Sequence, residues 1–374
     1  MTRILVTGGA GFIGSHLVAA LFSRGDQVTV LDSLSPQVHG ADPDLSPLYQ
    51  AIKGKARFLR GSVCDADVLA QALAGQGALV HLAAETGTGQ SMYQVGHYAQ
   101  VNVSGTALLL DLLAQSGTVR RLVLASSRAI YGEGSYRGAD GRLIHPPPRA
   151  AADMQAGIWE LQGPGGAALT PVATAETARI NPSSVYGITK AAQEQLVMVA
   201  APLAKVEPVA LRLQNVFGPG QSLGNPYTGV LSIFSNLILQ GREIPIFEDG
   251  LESRDFVYVS DAVAAILLGL DHPAAAGGIF NVGSGAATSI LTLAQSLCRA
   301  FGREVSVRVT GNFRLGDIRH NLADLRQVAS LGYAPKIGLA EGIARFAAWA
   351  KAQGPVENGF AAALDESRRR GVMK

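Results

Sequence analysis

Residues 4–20 read ILVTGGAGFIGSHLVAA. The apolar, branched run Ile4-Leu5-Val6 predicts a buried parallel strand, and Phe12, Ile13, Leu17 and Val18 recur at the spacing of an amphipathic helix. Gly8, Gly11 and Gly14 punctuate the junction as G-x-x-G-x-x-G. Glycines so placed serve a dinucleotide: one allows a tight turn, one admits a pyrophosphate to the backbone, and one lets helix and strand pack closely, with the anion on the helix N-terminus. A glycine triplet alone is weak, since such a turn can be purely structural. Its context strengthens it. Gly25 follows the helix, Gln27 to Leu31 forms a second apolar run, and Asp32 ends that run 18 residues after Gly14. A carboxylate there accepts hydrogen bonds from an adenosine ribose. Ser33 and Leu34 bring no arginine toward a 2′-phosphate, which Asp32 would repel, so the pattern predicts NAD rather than NADP.

The 374 residues are 48% hydrophobic and 16% charged, which allows a large core divided into two closely packed lobes. A net charge of +2 gives no electrostatic case for binding nucleic acid or membranes. Cys64 and Cys298 form neither a ligand cluster nor a disulfide framework; no metal is expected, and a reducing cytoplasm is. The N-terminus enters a strand within three residues without a signal-peptide pattern, and Gly, Pro or charge breaks the most apolar segments short of a membrane span. Arg368, Arg369 and Arg370 follow Asp365 and Glu366 in a polar tail, 356–374, expected to be solvated.

Between these ends the pattern is α/β. Ser33 to Lys55, with Pro36, Gly40, Pro43 and Pro47, predicts an irregular surface loop. Arg57 to Leu59 and Ala78 to Leu82 read as strands around a short helix, Asp67 to Leu73. The small residues after His81 leave room for a cofactor close to the backbone, and His81 itself is expected to be a packed strand histidine. Asn102 to Leu113 predicts a helix leading through Gly117 to a strand, Arg121 to Ala125, which runs into Ser126 and Ser127. Hydroxyls at the carboxyl end of a central parallel strand stand where open α/β sheets bind ligands. Glu133 to Ala178 is the least regular stretch and predicts an insertion over the site or at an interface.

Asn181-Pro182-Ser183-Ser184-Val185-Tyr186-Gly187-Ile188-Thr189-Lys190 then opens a helix to about Val199. Tyr186 and Lys190, at i and i+4, share one face of it. A phenol with an ordinary pKa of about 10 is a poor base at neutral pH. A fixed ammonium and a positively charged nicotinamide would favour the phenolate, which could then take a hydroxyl proton while hydride leaves the same carbon. Tyr-x-x-x-Lys by itself is common; behind a dinucleotide fold and a strand-end serine pair it carries weight.

Taken in order, GGAGFIG, Asp32, HLAA, Asn102-Val103-Ser104-Gly105-Thr106, SSRAIYG, YGITK, LRLQNVFGPG, RDFVYVSD and FNVGSG resemble the extended short-chain dehydrogenase/reductases that act on nucleotide sugars, the NAD-dependent epimerase/dehydratase family. The resemblance runs from about Met1 to about Arg345. It implies a Rossmann-type doubly wound parallel sheet with a smaller, mixed α/β C-terminal lobe that binds the nucleotide. The NAD-binding part would span 1–185, with 133–178 inserted, and residues 186–355 would complete the core and form the second lobe. The resemblance implies Ser127, Tyr186 and Lys190 as the catalytic set, with Lys190 on the nicotinamide ribose and lowering the tyrosine pKa. It implies Gly8, Gly11, Phe12, Ile13, Asp32, Val63, Leu82, Ala83, Ala84, Asn102, Tyr186 and Lys190 around NAD. Toward the substrate it implies Ser127, Arg128, Asn215, Arg254 and Arg314, the last two on the diphosphate, as suits guanidinium forks. The helices Asn102 to Leu113 and Tyr186 to Val199 resemble those of a homodimer contact. Three departures stand out: Ser62 replaces an acid that often meets adenine, Gln214 replaces an aromatic before Asn215, and the gap from Tyr131 to Tyr186 is long.

Dehydratases of the family resemble one another in placing acids directly after the strand-end hydroxyl; here Arg128 and Ala129 follow Ser127 and can do no such work. Ser127, Tyr186, Lys190 and NAD suffice for a 4-epimerase, which oxidises C4 and re-reduces it on the opposite face. The run 220–230, GQSLGNPYTGV, and the segment AAETGTGQSM are most similar to the enzymes that interconvert dTDP-L-rhamnose and dTDP-6-deoxy-L-talose, so a dTDP-linked sugar is the expected ligand. A nucleotide-sugar 4-ketoreductase, another UDP-sugar 4-epimerase and a non-catalytic NAD-binding scaffold or redox sensor are the alternatives.

Overall fold

The computed structural model describes residues 2–227, 229–357 and 359–374. Met1, Thr228 and Asn358, which belong to stretches interpreted above, lie outside the described residues. A seven-stranded sheet organises the chain in the order Ile279–Val282, Glu207–Leu213, Arg121–Ser127, Ala78–His81, Arg3–Thr7, Gln27–Asp32, Arg57–Arg60. Every pairing in it is parallel. Ile4 and Val6 face a core shared with Leu17, Val18 and Ile266, whereas Leu5 faces one shared with Leu69, Leu109 and Val197. Both faces are therefore covered by helices, as a parallel sheet requires. Strand order reverses between Arg3–Thr7 and Ala78–His81, and open sheets of this kind bind ligands at the carboxyl edge of that switch point.

A second lobe completes the molecule. Asn215–Phe217 pairs parallel with Ser253–Tyr258, which pairs antiparallel with Ala287–Ser289. Helices Val230–Leu239, Ile290–Phe301 and Leu339–Gln353 close over a core that includes Phe217, Phe256, Leu293 and Phe346. Among the described residues no helix is long and apolar enough to cross a membrane.

Four stretches depart from the sequence expectations. Residues 33–55 contain short helices at Pro36–His39, Pro43–Leu45 and Pro47–Ile52 rather than an irregular loop, because each proline occupies the first helical position, where its missing N–H is harmless. The helix expected from Asn102 begins regularly only at Gly105; Ala99–Ser104 is a wide π-type turn. The insertion carries its own antiparallel sheet, Leu143–Ile144, Ser135–Arg137 and Thr170–Val172, around Tyr136, Leu161 and Leu169. Arg149 pins it to the second lobe through Glu248 at 2.7 and 2.8 Å, and Glu160 meets Arg319 at 2.6 Å. Finally, the tail 356–374 is not a solvated end: Phe360–Arg369 is a helix, and Phe360, Ala363, Val372 and Met373 are buried. Its polar composition belongs to one face only.

His81 is the packed strand histidine expected, bonded to Thr7 at 2.7 Å and Thr106 at 3.0 Å. Burial, with a smaller push from Lys190, lowers its pKa to about 3. The unfolded chain takes up this proton near pH 6.5 and the folded one does not, so the contribution is lost as pH falls from 6.5 toward 3. A steeper acid loss of thermal midpoint in the native protein than in His81→Asn is expected; superimposable curves would refute it.

Candidate active site

Three strand ends build the cofactor side. Gly8, at φ +70°, leaves the first strand in a conformation that side chains disfavour, and a Cβ on Gly14 would come within 2.3 Å of the Gly8 carbonyl. Strand and helix thereby meet with Gly11 at the helix N-terminus, where no side chain caps the helix and no acid stands in the first turn. A cavity of about 700 Å³ opens there. Gly8, Gly11, Phe12, Ile13, Asp32, Val63, Leu82, Ala83, Ala84, Tyr186 and Lys190 line it. Asp32 accepts from the backbone N–H of Ala10 at 3.0 Å and Leu34 at 2.9 Å, and a carboxylate retains further acceptor capacity. Ser62, in place of an acid, lines the cavity while accepting from the N–H of Cys64. Asn102 does not line the cavity. It is fully buried, its carbonyl accepting from Glu85 N–H at 2.7 Å and its amide donating to Glu85 O and Thr189 Oγ1, so it ties the loop after His81 to the Tyr186 helix.

A second cavity, of about 380 Å³, adjoins the first. Ser127, Arg128, Tyr186, Asn215, Arg254 and Arg314 all line it. Ser127 and Tyr186 line both cavities and thus stand where the two meet. The helix carrying the tyrosine starts at Val185, capped by the Ser184 hydroxyl accepting from Gly187 N–H, and the Ser91 hydroxyl accepts from Tyr186 N–H. Arg128 donates from Nε to Asn215 Oδ1 at 3.0 Å. Arg254 gives Nη1 and Nη2 to the carbonyls of Ser253, Arg319 and Ile318, so part of its fork fastens the fold. Arg314 lies over the Phe247 ring at 4.9 Å, and its buried Nε has no partner.

Burial raises the Tyr186 phenol above its ordinary pKa, opposed by the hydrogen bond to Ser127 and by the charge of Arg128. Burial also lowers the Lys190 ammonium to about 7, against the pull of Glu194; its Nζ donates to Gln193 at 2.6 Å. Besides Lys190 on the same helix face, Arg128 is a cation that favours the phenolate. Arg128 itself is lowered to about 9, by burial first and then by Arg254. Two like charges lining one cavity favour an anion beside them.

Several groups at the site escaped sequence reasoning. Gln221 lines both cavities with an unpartnered Oε1, and Pro226, Phe247, Phe360, Ala363, Leu364 and Ser367 line the second. Gln221 and Pro226 fall within the run 220–230 quoted above; of the others only the helical spacing of Phe360, Ala363, Leu364 and Ser367 was available as a signal. No described residue of the insertion lines either cavity, but its Arg149 bonds Glu248 and the carbonyl of Asp317 in the wall of the second, so it braces that wall from outside.

Residues 4–151 and 160–283 match the profile of the NAD dependent epimerase/dehydratase family. The chain belongs to that family. It is 40% identical to a dTDP-L-rhamnose 4-epimerase of Burkholderia thailandensis over 93% of this chain and 94% of that one. A UDP-glucose 4-epimerase of Thermotoga maritima, solved with UDP-glucose, superimposes with a TM-score of 0.76 at 29% identity, covering 94% of this chain and 99% of its own. A Thermus thermophilus UDP-glucose 4-epimerase complexed with NAD does so with a TM-score of 0.73 at 27% identity, over 93% and 99%.

The family's cofactor is NAD, and the first cavity fits it. The uncapped helix N-terminus at Gly11 presents free N–H groups to a pyrophosphate, and Asp32 stands at the second strand end with no arginine among the described lining residues. Asp32→Ala is expected to weaken NAD retention by roughly ten- to a hundredfold, as loss of hydrogen bonds to a charged group implies. Equal NAD content in both proteins after gel filtration would remove Asp32 from the site.

Proposed function

We propose that this chain is an NAD-dependent nucleotide-sugar 4-epimerase whose substrate pair is dTDP-L-rhamnose and dTDP-6-deoxy-L-talose. The observation that carries the reading is that Ser127 and Tyr186 stand at the junction of a cavity fit for NAD and a cavity bearing three arginines. When bound, NAD supplies a reversible hydride acceptor. Ser127 holds the sugar's 4-hydroxyl, and Tyr186 takes its proton as C4 is oxidised. Arg128 lowers the energy of the phenolate that does so, and Lys190, beneath it on the same helix face, orients the ribose. Arg254 and Arg314 hold the diphosphate while the 4-keto sugar turns, after which Tyr186 returns the proton on reduction from the other face. Oxidation and reduction cancel, so nothing is consumed.

Elimination of water would need an acid and a base beside the sugar ring. Arg128 and Ala129, directly after Ser127, supply neither. Retention of the cofactor also suits an isomerase. Gln37 and Gln90 exchange reciprocal amide bonds at 3.0 Å, with Asn225 at 3.5 Å, bridging the lobes at the edge of the NAD cavity.

The test is to incubate purified protein with dTDP-L-rhamnose and follow the 6-deoxy-talose isomer by NMR, expecting approach to one equilibrium from either sugar. A stoichiometric change in nicotinamide absorbance would indicate a reductase, and turnover of UDP-galactose or UDP-glucuronate instead would replace the substrate. Arg128→Ala is expected to raise KM for the sugar nucleotide about tenfold or more, by removal of a charge-assisted contact. An unchanged KM would take Arg128 out of the binding site. The exposed apolar residues Ile188 and Val199 on helix Val185–Ala200 support a homodimer formed by that helix and Gly105–Ser116. The free thiols of Cys64 and Cys298 support a cytoplasmic setting.

A further inference from the structure

Residues 360–374 lie beyond the span that matches the family profile, yet their helix lines the substrate cavity and their last residues pair with the segment that bears Arg314. Helix Phe360–Arg369 turns Phe360, Ala363, Leu364 and Ser367 toward the cavity, the i, i+3, i+4, i+7 face of a helix. The Ser367 hydroxyl donates to Ala363 O, so the strip facing the cavity is apolar. The opposite face carries Asp365, Glu366 and Arg368, exposed or half-exposed and paired among themselves and with Arg369 and Arg370.

Past the helix the chain turns at Gly371, φ +71°, and runs back beside the segment that bears Arg314. Phe313 N–H donates to Lys374 O at 3.1 Å, Lys374 N–H to Phe313 O at 3.0 Å, and Leu315 N–H to Val372 O at 2.9 Å. Both neighbours of Arg314 are therefore held by the final residues, with Met373 opposite it. The arginine so fixed lies on Phe247 with Nε buried and unpartnered. At the helix end, Arg370 lies over the Tyr93 ring at 5.8 Å, and Tyr93 is bonded to Tyr227, itself in the cavity wall, at 2.9 Å.

We infer that residues 360–374 are a working part of the binding site: the helix is an apolar wall against the bound nucleoside-diphosphate sugar, and the final residues position Arg314 for a phosphate oxygen. The inference rests on the reading of this cavity as a nucleotide-sugar site, but not on which sugar is turned over. Arg314 is the binding residue here, and Val372, Met373 and Lys374 are positioning residues acting through it. An arginine whose backbone is clamped on both sides loses less freedom on meeting a phosphate than one on a loose loop.

Calorimetric titration of the NAD-loaded protein with dTDP, and with UDP in parallel, tests this against five variants, Arg314→Ala among them. Deletion of 372–374 removes the clamp and leaves the helix; it is expected to weaken dTDP binding roughly tenfold while NAD content stays unchanged. In the Arg314→Ala background the same deletion is expected to add less than about twofold, because the two changes remove one interaction. Ala363→Phe fills the cavity from the helix and is expected to raise KM for the sugar nucleotide more than it lowers kcat. Arg368→Ala, on the outer face, is the control. Deletion-variant affinity within twofold of the full chain, or equal losses with and without Arg314, would overturn the positioning role, and an unchanged KM in Ala363→Phe the wall. Native protein that binds neither dTDP nor UDP would overturn both. Native protein that binds dTDP but leaves dTDP-L-rhamnose unchanged would remove the proposed reaction and leave this inference standing or falling on the deletions.

Discussion

Tyr186→Phe is expected to lower kcat by about 10³- to 10⁴-fold, the upper part of what a positioned general acid–base group supplies, while the protein still purifies with NAD. The expectation follows from place and environment together. Tyr186 and Ser127 together line both cavities. Burial holds the free phenol protonated at neutral pH, so it must first lose that proton, as the charge of Arg128 and of a bound nicotinamide favours, before it can take one from the sugar and later give it back. The phenyl ring of the variant fills the same space, so NAD content separates loss of chemistry from loss of the site. Activity within tenfold of native would assign the proton transfer elsewhere.

Glu194→Ala is expected to cost about 3–5 kcal/mol of stability, the penalty for leaving a buried guanidinium uncompensated. Glu194 and Arg212 are both almost fully buried and meet at 2.6 Å. The Ser126 hydroxyl donates to the same carboxylate at 2.6 Å, and Arg212 extends the chain to the Tyr131 hydroxyl at 2.7 Å, which donates to Asn281. These contacts join three adjacent strands and the Tyr186 helix directly under Ser127. Denaturant unfolding at pH 7 reads the loss, and Arg212→Met added to Glu194→Ala is expected to restore part of it by removing the orphaned charge. A single-variant loss below about 1 kcal/mol would show that water reaches the pair.

How much was legible follows from how local each signal is. The glycine turn, Asp32 and the Tyr186–Lys190 pair are set by spacing within one turn or one strand–helix unit, and each lies where the sequence pattern places it. Asn102 shows the limit: its identity fits a cofactor contact, but its amide is fully engaged by Glu85 and Thr189, which the chain brings to it from opposite sides. Lys190 shows it differently. Its position follows from the helix period, whereas its lowered pKa depends on burial that no helix period encodes.

The sequence by itself determined the parallel sheet and the cofactor, because hydrophobic period and backbone-demanding glycines act over a few residues. Only the tertiary structure decided that burial lowers the Lys190 ammonium and that Arg128 favours the phenolate, and that the insertion is pinned to Glu248 in the wall of the second cavity. It also decided that the final residues wall the substrate cavity and hold Arg314. Each depends on contacts between residues far apart in the chain, whose distances and shielding from water exist only once both lobes have packed.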